Sequence, residues 1–117
     1  MTERIDKIDD AMLFRSLEWL SDNAEKAAKA RATRVYMDEW VPTLRARIAK
    51  ECIDAGMSAT AADISARASE AYKKALDDRS LAVEEDEKFR WRKGSVDVLV
   101  SAWQTLSANA RAINKAL

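Results

Sequence analysis

Histidine is absent from the 117-residue chain, and glycine, proline and cysteine nearly so, at two, one and one. Without histidine the side chain that titrates nearest neutral pH is missing as a general base, and no Cys/His zinc cluster can assemble. The glycines, Gly56 and Gly94, are too few and too isolated for a phosphate-cradling loop. With Pro42 they also supply too little turn chemistry for a β-sheet protein. Cys52 has no second cysteine to pair with, which fits a reducing compartment. No apolar run approaches the ~18 residues of a membrane span, and the opening Met1-Thr2-Glu3-Arg4-Ile5-Asp6 lacks the basic-then-apolar order of a signal peptide. The expectation is a cytoplasmic protein without membrane contact that binds a partner, is not an enzyme and uses no cofactor or metal.

Net charge is the next absence: 20 Lys and Arg balance 20 Asp and Glu. The balance is not local. Residues 1–25 carry net −4, residues 26–50 net +5, residues 77–87 net −5 and residues 88–117 net +5. Blocks of opposite sign suit pairing within the chain or with a charged partner.

What is present is alanine, leucine, glutamate, lysine and arginine, the strongest helix formers. The length suits one domain, residues 1–117, and the class is all-α: long helices in a helical hairpin or coiled-coil-like bundle, expected to be oligomeric. Ile5, Ile8, Met12, Leu13, Leu17 and Leu20 recur at helical spacing over about residues 4–20. Ser21-Asp22-Asn23 predicts a break, with Asp22 and Glu25 as a capping pair. A second helix is expected over 23–55, its face marked by Met37, Val41, Leu44, Ile48, Cys52 and Ala55. Pro42 predicts a kink or restart near Glu39 to Val41. Ala55-Gly56 predicts a left-handed glycine cap, and Thr60 with Asp63 a cap for the next helix.

That last helix, 60–117, has candidate breaks at Asp78 and Gly94. Val96, Leu99, Trp103, Leu106, Ala110, Ile113 and Leu117 alternate steps of three and four, a heptad seam. Stepping back by sevens adds Phe89, Ala82 and Ala75, so the phase survives Gly94 and favours one continuous helix. The rival is that Gly94 ends one helix and Ser95 caps the next. A continuous helix would reach about 87 Å, against ~35 Å for a compact domain of this size. It could not cover its seam within one chain, which predicts self-association.

Lys88-Phe89-Arg90-Trp91-Arg92-Lys93 alternates bases with aromatics. Basic side chains attract phosphates and aromatic faces stack on unpaired bases. At 100° per residue Phe89 and Trp91 point apart, so Phe89 goes to the seam and Trp91, beside Lys88 and Arg92, is either the exposed ring or packs on a neighbouring helix. A second basic stretch holds Lys26, Lys29, Arg31, Arg34, Arg45, Arg47 and Lys50. Lys29 shares a face with Arg47, and Arg34 with Arg45. It reads either as a polyanion surface or as solvated charge. Glu84-Glu85-Asp86-Glu87 suits a solvated face or a contact for a basic neighbour better than a metal site. Trp19, Trp40 and Trp103 read as packing anchors, and Cys52 as inert core.

Lys26-Ala-Ala-Lys-Ala-Arg-Ala-Thr-Arg-Val-Tyr36-Met-Asp-Glu39, then Thr43-Leu-Arg-Ala46, and Glu84-Glu-Asp-Glu-Lys-Phe-Arg-Trp91, then Val100-Ser-Ala-Trp103 through Arg111, resemble small helical proteins of phage recombination modules. With Trp19-Leu20 upstream, the order over about residues 14–112 is similar to that of the UvsY-type recombination mediators of T-even phages. The resemblance implies an oligomeric helical protein in a bacterial host cell. It would bind single-stranded DNA and help load a recombinase or annealing protein in place of a single-strand-binding protein. It carries the DNA-contact role to Lys26, Lys29, Arg31 and Arg34, and to Lys88, Arg90 and Arg92. The rival function is a protein-interaction module, an adaptor, inhibitor or scaffold without nucleic acid. A carboxylate-only enzyme would need an acid with a raised pKa in an apolar pocket.

Overall fold

The computed structural model describes residues 8–116. These form three helices and, among the described residues, no strand: α1 (Asp10–Asp54, 45 residues), α2 (Ala59–Ala68, 10 residues) and α3 (Glu70–Ala116, 47 residues). Residues 4–7 of the first expected helix, with Ile5, and the seam residue Leu117 lie outside the described range. The contacts divide into two compact units: one from residues up to Lys26 and from Lys88 onward, the other Ala27–Glu87.

Helix α1 begins where Asp9 Oδ1 accepts the amide of Met12 at 2.8 Å, an N-cap. It does not break at Ser21-Asp22-Asn23. Propensity differences of well under 1 kcal/mol per residue are smaller than the cost of unpacking a helix, and the Asn23 amide donates back to the Trp19 carbonyl at 2.9 Å. Nor does α1 restart at Pro42, which lies on its exposed side next to Val41, only 2 % exposed. Beside the proline the Thr43 hydroxyl donates to the Glu39 carbonyl at 2.9 Å, while the carbonyl that loses its amide donor to the proline is that of Asp38.

The C-terminal end of α1 is a Schellman turn. Gly56 takes φ +102°, its N–H bonds the Ile53 carbonyl at 2.9 Å, and Met57 N–H bonds that of Cys52 at 3.0 Å. A Cβ at Gly56 would meet nothing within 4 Å, so only backbone strain opposes a side chain. Gly56→Ala should therefore cost about 1 kcal/mol, read from the midpoint of urea denaturation at unchanged slope.

The cap of α2 is Ser58, whose Oγ accepts the Ala61 amide at 3.2 Å, and not the expected Thr60. No break falls at Asp78, where the Lys74–Asp78 ion pair at 2.8 Å spans one turn. None falls at Gly94 either. Ser95 donates to the Trp91 carbonyl at 3.1 Å instead of capping a new helix. The break that exists is at Ser69, with φ −71° and ψ 147°. Its N–H reaches the Ala66 carbonyl at 3.2 Å and closes α2, while its Oγ accepts the Tyr72 amide at 3.2 Å and opens α3.

In the Ala27–Glu87 unit, α1 runs antiparallel to α2 and α3: Arg45 meets Asp63 and Arg34 meets Asp86. Its buried members are Ala30, Val41, Ala62, Ala66, Ala75, Ala82 and Asp86. Five are alanines, small enough to let helix backbones approach closely. In the other unit Leu13 and Val96 are buried, Trp19 packs on Phe89 with ring centroids 6.3 Å apart, and Trp103 Nε1 donates to Asp10 at 3.1 Å. The seam is thus packed within the chain at Ala75, Ala82, Phe89, Val96, Leu99 and Trp103. One chain therefore covers the seam as far as Trp103, because α3 starts at Glu70 and α1 supplies partners. Among the described seam residues, Leu106, Ala110 and Ile113 stay exposed.

Candidate nucleic-acid interface

The packed stripe of α1 determines which basic residues face water. Leu13, Ser16, Leu20, Asn23, Ala27, Ala30, Arg34, Met37, Val41, Leu44, Ile48 and Cys52 are each buried or half-buried, at alternating steps of three and four until a final step of four. Arg34 is a member. Its Nη1 donates to Asp86 at 3.0 Å and to Glu87 at 2.7 Å, and the Asp86 side chain is 2 % exposed. Hydrogen bonds donated to Glu87 first, then to Asp86, push the guanidinium above its ordinary value. A cation stabilised in this way keeps its charge until the pH rises past that raised value, so the pair has its cation throughout the neutral range. Arg34, expected to contact DNA, is engaged by two carboxylates of its own chain. Asp86 and Glu87 of the acidic run are its partners, a contact for a basic neighbour, while Glu84 and Glu85 lie on the exposed side.

Lys29 and Arg31 are exposed in the same unit. Arg45 is 3.7 Å from Asp63, and Lys50 is 2.9 Å from Asp54 one turn on. On the exposed side of α1 lies a feature that the basic spacing alone does not show. The rings of Tyr36 and Trp40 stack with centroids 6.4 Å apart and planes at 12°, and the Arg47 guanidinium lies 5.5 Å from the Trp40 centroid. The signal in the sequence is the spacing of four and seven among these three, one helix face. It is lost when only aliphatic residues are followed.

In the unit containing residues 88–116, the two aromatics of the alternating motif part as the period requires. Phe89 faces Trp19, and Trp91 is 75 % exposed. Lys88, one turn before Trp91, and Arg90 are exposed. Arg92 lies beside Trp91 with its guanidinium 4.9 Å from the Trp19 ring centroid, an arrangement that fixes the cation while leaving the residue exposed. Lys93 pairs with Asp97 at 3.1 Å, and Lys26 is exposed. The seam member Trp103 is half-buried, as a packing residue should be.

Among the described residues no group of His, Cys, Asp and Glu side chains is placed to hold a metal ion, and no helix is long and apolar enough to cross a membrane. Cys52 is half-buried. Chemically the exposed surfaces offer cations beside aromatic faces, a combination that attracts phosphates and stacks on planar groups. Comparison with protein-family models, with curated proteins and with solved structures found no match.

Proposed function

We propose that this protein is a non-catalytic accessory factor that binds single-stranded DNA, and that copies of it associate through the exposed end of the α3 seam. The observation that carries the reading is Trp91: an indole 75 % exposed on a two-unit, all-helical scaffold, next to Arg92 and one turn from Lys88. A large aromatic ring held in water among cations has little to gain from packing and suits stacking on an unpaired base. The resemblance of Lys26–Glu39 and Glu84–Trp91 to phage recombination mediators supports the role: assisting a recombinase or annealing protein onto a strand held by a single-strand-binding protein.

Fluorescence anisotropy with labelled oligo-dT tests the reading. Affinity should fall about tenfold or more between 50 and 200 mM salt if about three phosphates are contacted. Trp91→Ala should weaken binding about tenfold with an unchanged melting curve, because the ring is exposed. A second reading, a protein-interaction module, is favoured by the cations that carboxylates of the same chain already neutralise, Arg34 and Lys93. Failure to bind oligo-dT at low salt with tens of micromolar protein would decide for it.

A further inference from the structure

The Ala27–Glu87 unit carries a second aromatic surface that the motif reading did not reach. Tyr36 and Trp40 stand one helical turn apart on α1, about a quarter turn around the helix from the packed stripe. Their rings are within 12° of parallel, and Tyr36 is 60 % exposed. Arg47 closes one end over Trp40, and the exposed Lys29, two turns before Tyr36, marks the other. Two acids lie near this face: Glu39, next to Trp40, and Glu51, one turn beyond Arg47. Of the seven bases in residues 26–50, Arg34, Arg45 and Lys50 meet carboxylates outside that segment, and Lys29 and Arg47 are the two cations that share the face of the rings. The core does not require this arrangement. Trp40 is half-buried at its edge, Tyr36 stands out in water, and Val41 and Met37 fill the interior instead.

We infer that the Tyr36–Trp40 face, bounded by Lys29 and Arg47, is a stacking subsite for unpaired bases of single-stranded nucleic acid. The chemistry matches on both counts. The exposed ring of Tyr36, stacked on Trp40, presents a flat, sequence-tolerant surface to a base, and the cations at either end hold the phosphates that flank it. An acidic protein segment would satisfy the cations but leave the rings uncovered, and duplex DNA keeps its bases out of their reach. The inference rests on the proposed binding of single-stranded DNA and assigns part of it to this face.

The test compares oligo-dT with an abasic oligonucleotide of equal length and charge, so that only stacking differs. Phe14→Ala with Trp91→Ala is the background, which removes the other two exposed rings from the readout. In that background the chain should prefer oligo-dT about tenfold. Adding Tyr36→Ala should abolish the preference while leaving the salt dependence in place, and Tyr36→Phe should restore it. Tyr36 is exposed, so a circular dichroism melt should show all three variants equally folded. A preference that survives Tyr36→Ala, or equal binding of the two oligonucleotides before that change, overturns the inference and leaves the proposed function standing. Binding of neither oligonucleotide by the unaltered chain overturns both and sends the face to a protein partner.

Discussion

Arg34→Met should lower the melting midpoint by about 10 °C or more, a larger loss than from any other single surface or seam change considered for this chain. The reason is what the substitution leaves behind. Asp86 sits on the packed stripe of α3 between Ala82 and Phe89, with its side chain 2 % exposed, and Arg34 contacts it at 3.0 Å. Without the guanidinium the carboxylate remains in the core with its counter-charge gone, and an unpaired buried charge is far costlier than an apolar side chain of similar size. The reverse change, Asp86→Leu, should be milder: the Arg34 side chain is 26 % exposed and still has Glu87 at 2.7 Å. The double variant Arg34→Met/Asp86→Leu should recover most of the loss, since an apolar pair replaces an ionic one on facing stripes. Thermal melts of the two singles and the double close the cycle. Additive losses, or a milder effect from Arg34→Met than from Asp86→Leu, would show that the pair is not the buried charge couple described here.

The same pair shows where periodicity stops being readable. Helix content, the Gly56 turn, continuity through Gly94 and the opposite headings of Phe89 and Trp91 all follow from glycine chemistry and a 3.6-residue period. The course of α1 did not, because its packed stripe includes Ser16, Asn23 and Arg34, and a polar residue on the seam looks like an interruption. Asn23 reads as part of a break for that reason, and Arg34 as a DNA contact from its basic stretch and the resemblance. Their partners, the Trp19 carbonyl one turn back and Asp86 on another helix, are invisible to spacing. Ser69 gives no signal in the sequence for the opposite reason: it lies in an alanine-rich run without glycine or proline, and only its bonds to Ala66 and Tyr72 make it a joint. For the candidate interface, charge located the basic segments. It did not separate cations engaged by carboxylates, such as Arg34, from cations set over half-buried indole rings, such as Arg47 over Trp40 and Arg92 over Trp19.

Leu106→Glu together with Ile113→Glu should convert an associated protein into single chains, with little change in helix content. Within its unit, the α3 seam is buried at Val96 and half-buried at Leu99 and Trp103, and Trp103 reaches Asp10, the first residue of α1, at 3.1 Å. The next three seam positions fall 3, 7 and 10 residues further along a helix that continues to Ala116, about 15 Å of rise. Leu106 is 43 % exposed and Ile113 62 % exposed, and Ala110 between them is small enough for a second helix to come close. Heptad spacing carried past the point where α1 begins gives a stripe that a second copy can cover, and a continuous helix has no turn with which to hide it. Sedimentation velocity at tens of micromolar should show the parent as a dimer or larger and the double variant at the mass of one chain. Oligo-dT binding should weaken in parallel, because joined copies present several basic and aromatic faces to one strand and gain effective concentration from the linkage. A parent that sediments as one chain would remove the association. A double variant that stays associated would move the contact to another face, and unchanged DNA affinity in a truly monomeric variant would separate self-association from strand binding.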